Sequence, residues 1–248
     1  MTDDGIGVSE ALASLLEKDA NRSRDEPQIA ANIGAQLAHM ELSSWPISVR
    51  RRIRDVVGKL QPTRVCEVGA GIGHLSAWLM DLWEREDSPE SYQLVEAGGK
   101  FGVILLRLLD RYKSRDWAEV KVGRFEQLVA EQKAWDAANS TLSGARIEGL
   151  NEEPILKAPY DCVIVDVEIQ SLVDCLESAL ECINNGGIIL TVEPEVPTGD
   201  VSDDDIVGQS IVAGFQKWIN FIQNISKKHE IAFQPLYGGT LVAIHCNQ

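Results

Sequence analysis

From residue 64 onward the chain alternates short, almost wholly apolar runs with longer stretches whose apolar residues recur every three or four positions. The short runs are RVCEV, YQLVEA, EVKVG, YDCVIVD and GIILTV. Strands buried on both faces of a parallel sheet read this way, because no position has to meet water. Between them, Phe101, Ile104, Leu105, Leu108 and Tyr112 share one helical face, and Leu172, Leu176, Ala179 and Ile183 share another. Gly186 and Gly187 are expected to end that second helix and open the next strand. Strand–helix alternation of this kind predicts right-handed crossovers and a Rossmann-like, doubly wound α/β sheet.

The last part of the chain breaks the alternation. A long helix, with Ile211, Phe215, Trp218, Ile222 and Ile225 on one face, is followed by IAFQPLY and GTLVAIH with only glycine between them. Two strands that close in sequence form a hairpin, so the last strand runs antiparallel to its neighbour. Ahead of Arg64 the pattern is helical in three pieces, near residues 7–20, 27–42 and 46–60. The organisation predicted is an N-terminal helical cap over residues 1–60, lying across the carboxyl ends of the strands, and one α/β unit over 61–248. Residues 135–159, polar and turn-rich in their second half, read as a long loop beside that same edge.

Composition narrows the partners. With 44% hydrophobic and 25% charged residues the chain is long and apolar enough for a sizeable core. Its 23 basic against 38 acidic residues give a formal charge of −15, a field that repels phosphate backbones and makes nucleic acid a disfavoured partner. No stretch approaches the roughly 20 apolar residues that cross a bilayer, and the acidic start MTDDGIGVSEALASLL lacks the basic end of a secretory signal, so a cytoplasmic protein without membrane attachment is expected. The five cysteines include no CxxC pair and sit mostly in core-like positions, which predicts reduced thiols. His39, His74, His229 and His245 have no zinc-ligand spacing beside them.

The candidate chemistry centres on RVCEVGAGIGHLSAWLM. Gly69, Gly71 and Gly73 follow the first strand and precede a helix, at the edge where open α/β sheets bind ligands. Glycines there admit a close backbone approach, and the helix start offers free N–H groups. A dinucleotide site calls for GxGxxG; here the spacing is GxGxG, and Glu67 before the first glycine disfavours a pyrophosphate and suits a ligand with positive charge. Glu96, ending the second strand, is placed to accept hydrogen bonds from two ribose hydroxyls.

EVGAGIG with a later strand-end acid resembles the class I S-adenosylmethionine-dependent methyltransferases, over roughly residues 40 to 246. More narrowly, RVCEVGAGIGHLSAWLM, YDCVIVDVE, CINNGGIILTVEP and FQPLYGGTLVAIH are similar to small-molecule O-methyltransferases of the catechol and caffeoyl-CoA type. The resemblance implies a seven-stranded sheet with an antiparallel last strand, S-adenosylmethionine as cofactor, methylation of an oxygen on a small molecule, and a homodimer, since dimers are common among such proteins. It places Glu67, Gly69, Gly71, Gly73 and His74 along the methionine part of the cofactor and Glu96 on the ribose. Ser76 stands where that subfamily often has a hydroxyl residue. In GRFEQL, Arg124 replaces the acid that usually faces the adenine, which leaves that contact to backbone and Phe125.

The same resemblance implies a divalent metal held by the acid after the fourth strand, matched by Asp166, and by an Asp–Asn pair after the fifth. TVEPEVP departs from that pair: Val192 or Glu193 takes the acid's place, and Pro194 offers no side-chain ligand. The lysine expected after the fourth-strand acid is also replaced, by Glu168 and Gln170. Two mechanisms stay open: magnesium on a rearranged set including Asp166, Glu168, Glu193 and Glu195, or metal-free catalysis with Asp166 or Glu193 as general base. The run Arg50–Arg54 reads as a solvated helix face, or as an attractor for a phosphorylated or CoA-linked acceptor or RNA. Trp45 is a candidate for stacking on the acceptor. Rival readings are aminopropyl transfer, RNA or protein methylation on the same fold, and a non-catalytic, partner-binding domain.

Overall fold

The structure, a computed structural model, describes residues 9–141, 153–199, 202 and 204–247. Its elements run α1 (Glu10–Leu16), α2 (Gln28–His39), α3 (Ile47–Leu60), β1 (Arg64–Val68), α4 (His74–Trp83), β2 (Ser91–Glu96), α5 (Gly99–Tyr112), β3 (Ala118–Val122), α6 (Phe125–Thr141), β4 (Tyr160–Val165), α7 (Ile169–Glu181), β5 (Ile183–Val192), α8 (Ile206–Ile225), β6 (Glu230–Leu236) and β7 (Gly239–His245). The strands form one seven-stranded sheet in the order β3-β2-β1-β4-β5-β7-β6. β1 to β5 pair in parallel, and β7 runs antiparallel to both β5 and β6, the arrangement that the alternation and the terminal hairpin predict. Pro235, which cannot donate to a ladder, is tolerated because β6 is an edge strand.

Two apolar cores cover the two faces of the sheet. On one, Val65, Tyr92, Leu94, Ile164 and Leu190 pack under α4 and α5, and Leu12, Leu16, Ile33, Leu37, Val49, Ile53 and Val57 of the N-terminal helices belong to this same core. On the other, Cys66, Val68, Val163 and Ile189 meet Phe125, Leu172, Leu176 and Trp218 of α6, α7 and α8. The first three helices thus share the core of the sheet. The end of α2, the connection from Leu42 to Pro46 and Arg50 of α3 border a cleft at the carboxyl ends of the strands. All five cysteines are buried and unpaired with one another, and among the described residues no helix is long and apolar enough to cross a membrane.

Two elements depart from the sequence reading. Helix α7 stops at Glu181, and β5 is already under way at Ile183, which pairs with Tyr160. The ladder shifts register before Cys162, and Gly186 takes its positive φ of 78° inside that irregular stretch rather than at a helix end. Residues 135–141 continue α6 instead of starting a loop; residues 142–152 lie outside the described residues. From 153 to 159 the chain lies over β2 and α6. Leu156 N–H donates to Gln132 Oε1 at 2.9 Å and Lys157 N–H to Gln93 Oε1 at 2.7 Å, which places this piece on the sheet's face and not on its active edge.

Candidate functional site

A cleft of about 860 Å3 opens along the carboxyl ends of the parallel strands, within the ordinary size of a ligand pocket. Its floor follows the strand order: Gly123–Glu126 after β3, Glu96 and Ala97 at the end of β2, Gly69–Ile72 after β1, Asp166–Glu168 after β4, and Glu193 and Glu195 after β5. Its roof is Leu37, the segment Leu42–Pro46 and Arg50. Trp45, half-buried, both packs on the core and borders the cleft.

The glycine loop is fixed from both sides. Gly69 and Ala70 donate their N–H groups to the carbonyl of Val95 at 2.9 and 3.2 Å, while Asp166 N–H donates to Val68 O at 2.8 Å. Gly69 has a φ of +82°, and a Cβ built on it falls 1.8 Å from the carbonyl oxygen of Asp166. Gly71, at φ +56°, faces open space, with nothing within 4 Å of such a Cβ. Gly73 closes the loop where α4 packs on α5, its own Cβ position 2.4 Å from Leu108. Only the middle glycine therefore leaves room at the loop for a ligand.

Glu96 joins this loop to the next one. Its Oε2 accepts from Gly71 N–H at 2.8 Å and its Oε1 from Gly98 N–H at 2.7 Å. Each carboxylate oxygen keeps a further lone pair, so the acid is held rigidly and can still accept from a ligand.

Glu67 points from β1 into the space under α4, fully enclosed. It accepts from Ser76 Oγ at 3.0 Å and from the Tyr92 hydroxyl. Burial raises its pKa from 4.5 to about 8, against the opposing pull of those donors, and the nearby Asp166 adds to the rise. Asp166 rises from 3.8 to about 7 by burial, opposed by the positive charge of Arg50. An acid with a raised pKa binds its proton more tightly in the folded chain. Stability is therefore expected to fall as pH climbs from 4.5 to about 8 for Glu67 and from 3.8 to about 7 for Asp166. Melting temperatures at pH 5, 6, 7 and 8 should decline steadily in the wild type and more shallowly in Glu67→Gln; identical slopes would exclude Glu67 as a source of the trend.

His74 is buried at the start of α4. Its Nδ1 lies 2.8 Å from Ser44 Oγ, its Nε2 3.4 Å from Glu26 Oε1, and burial, then Arg50, lowers its pKa. Arg50 completes the cluster, donating from Nη1 to Ser44 Oγ at 3.1 Å and to the Trp45 carbonyl, and from Nη2 to Glu26 at 2.9 Å. This network ties the roof to the glycine-loop helix. It also corrects the reading of Arg50–Arg54 as a solvated face: Arg50 and Arg54 are buried, the latter against Asp55 and over the Trp78 ring. The signal for this was available, since Arg50 and Arg54 are one turn apart and flank the apolar stripe Val49, Ile53, Val56 and Val57. Glu26 and Ser44 carried no sequence signal, for they act only through contacts distant along the chain.

Phe125, the first residue of α6, is buried in the second core and borders the cleft. Arg124 is mostly exposed and lies 3.5 Å from Glu126. Glu168, Glu193 and Glu195 border the cleft with exposed side chains; the Glu193 backbone N–H extends the ladder by donating to Thr240 O at 2.9 Å. Among the described residues no three His, Cys, Asp or Glu side chains converge into a metal-binding group. With Pro194 in place of a ligand, the residues present do not fit the divalent ion that the resemblance implies.

No family model matches the chain, and no curated protein is detectably similar in sequence. Its fold does match solved structures. The O-methyltransferase of Bacillus cereus in complex with SAH is similar with a TM-score of 0.59 and 17% identity, over 89% of this chain and 92% of that one. The O-methyltransferase TomG of Streptomyces achromogenes, in complex with SAM, gives 0.60 and 16% over 96% and 95%. The SAH-bound methyltransferase PaMTH1 of Podospora anserina gives 0.60 and 14% over 96% and 95%. At these identities the likeness establishes the fold: the chain has the Rossmann-like methyltransferase fold, with strand order 3-2-1-4-5-7-6.

Proposed function

We propose that this chain binds S-adenosylmethionine in the cleft and transfers its methyl group to an oxygen of a small molecule. The observation that carries the proposal is the alignment along a single cleft of Phe125, Glu96, the open face of Gly71 and the raised-pKa acids Glu67 and Asp166. On this reading Phe125 flanks the adenine, Glu96 accepts from the ribose hydroxyls, and the backbone at Gly69–Gly71 lines the sulfonium side. The same fold in complexes with SAM and SAH supports the assignment.

The cofactor supplies an activated methyl carbon; the protein must align an acceptor with it and take up a proton. Asp166 stands at the carboxyl end of β4 with its pKa near 7, so near neutral pH an appreciable share of it is free to act as general base. The acceptor hydroxyl gives its proton to Asp166 as its oxygen bonds to the methyl carbon and the carbon–sulfur bond breaks. On this reading Glu193, after the neighbouring strand β5, holds the acceptor. No step is routed through a metal, because the residues present do not fit one. The roof at Leu42–Pro46 encloses the cleft on one side, which together with the net charge of −15 favours a small acceptor over nucleic acid.

The test is calorimetric titration with S-adenosylmethionine and S-adenosylhomocysteine, with and without Mg2+, followed by turnover against a panel of phenols using wild type and Asp166→Asn. Binding of both, indifferent to Mg2+, and turnover reduced at least about 100-fold by Asp166→Asn are expected. Failure of both ligands to bind would remove the proposal, and binding without turnover on any acceptor would favour a non-catalytic domain. A pH series adds a sharper check. Below about pH 7–8 Glu67 and Asp166 hold protons that a sulfonium must displace, so affinity for S-adenosylmethionine should rise from pH 6 to 8. For S-adenosylhomocysteine, whose sulfur is neutral, it should rise less.

A further inference from the structure

The cations bordering the cleft are Arg124 at the β3 end and Arg50 toward β4. Arg124 is exposed; Arg50 is only 6% exposed and lies close enough to Asp166, His74 and Glu26 for its charge to shift or be shifted by theirs. A buried guanidinium at the wall of a ligand cleft needs a reason. Three of its five N–H groups are spent on Ser44 Oγ, the Trp45 carbonyl and Glu26. Those bonds hold it still. Its Nε is enclosed by protein and has no hydrogen-bond partner among the described residues, so one Nη2 N–H is left for a ligand in the cleft.

Strand order says which part of the ligand arrives there. With adenine toward β3 and ribose on Glu96 at β2, the amino-acid end runs toward β1 and β4, beneath Arg50. That end is a zwitterion. Glu67 and Asp166 offer acids to its ammonium and to the sulfonium, but a carboxylate needs donors, and His74 is already engaged by Ser44 and Glu26. Arg50 supplies a permanent positive charge and that remaining N–H, a charge-assisted donor for a carboxylate.

We infer that Arg50 reads the carboxylate of the donor's methionine part, so that the cleft accepts S-adenosylmethionine and rejects its decarboxylated form. The inference rests on the cofactor reading above and assigns the chain to methyl rather than aminopropyl transfer by a residue outside the glycine motif.

The experiment titrates wild type, Arg50→Gln and Arg50→Lys with S-adenosylmethionine and with decarboxylated S-adenosylmethionine, which lacks only the carboxylate. Wild type is expected to prefer the carboxylated donor about 10- to 100-fold, the worth of one charge-assisted bond. The acidic cleft by itself favours the decarboxylated donor, which is more positive, so general electrostatics works against that preference. Arg50→Gln should lose the preference, the ratio of the two affinities falling to about 1 or below, while Arg50→Lys, keeping the charge, should retain part of it. Equal wild-type affinity for the two donors overturns the inference and leaves the cofactor reading standing, as does an Arg50→Gln loss that is equal for both. If neither donor binds wild type, both readings fall together. Should Arg50→Gln not fold, the wild-type ratio and Arg50→Lys still decide.

Discussion

Gly69→Ala is expected to lower the melting temperature by roughly 10 °C, whereas Gly71→Ala should lower it by about half as much and eliminate cofactor binding. Both positions have positive φ, so both substitutions carry the left-handed penalty of about 1–2 kcal/mol. Their surroundings then separate them. The new methyl of Gly69→Ala meets the Asp166 carbonyl at 1.8 Å, backbone that is itself held by the β1–β4 ladder. Relieving that overlap moves a strand end and adds about 1–3 kcal/mol. A total near 2–5 kcal/mol corresponds to roughly 10 °C at about 2–4 °C per kcal/mol for a chain of this size. The methyl of Gly71→Ala meets no protein atom and projects into the cleft. Differential scanning calorimetry and titration of the same two variants check the contrast. Equal melting temperatures would mean that the loop after β4 yields easily, and wild-type affinity in Gly71→Ala would move the ligand away from the loop.

Glu96→Ala is expected to weaken S-adenosylmethionine binding by about 100-fold or more. The acid loses charge-assisted bonds to the ribose, worth about 1.5–3 kcal/mol each, and releases the N–H groups of Gly71 and Gly98 that it now holds. Titration calorimetry measures the first effect; a drop of a few degrees in melting temperature reports the second. A loss under about fivefold, with the melting temperature lowered, would make Glu96 a loop brace and not a ribose ligand.

Much of the fold could be read from the chain because the parallel strands are buried on both faces and so appear as unbroken apolar runs. The terminal hairpin was legible from the short glycine link between two such runs. Where glycine chemistry admits two outcomes, the reading slipped: Gly186 serves a bulge, and β5 begins before it. The floor of the cleft was legible for a local reason, since Glu67, the glycines, Glu96 and Asp166 all sit at strand ends that the alternation locates. The roof was not. Ser44 and Glu26 become meaningful only when α2 and α3 fold back on α4, and Arg50 looks like part of a solvated basic run until the stripe it flanks is counted against burial. Residues 42–46 likewise reach over the cleft through the packing of the helices around them, which no single segment encodes.

The five unpaired cysteines lie in the two cores, and burial raises the pKa of Cys162, Cys175, Cys182 and Cys246 to about 12 and lifts that of Cys66 well above the usual thiol value. Thiolate, the reactive form, is therefore nearly absent while the chain is folded. The folded surface offers no native site for thiol labels, so a cysteine introduced on the roof could carry a probe of cleft opening alone. The native thiols in turn act as a clock, reacting only as fast as the sheet exposes them.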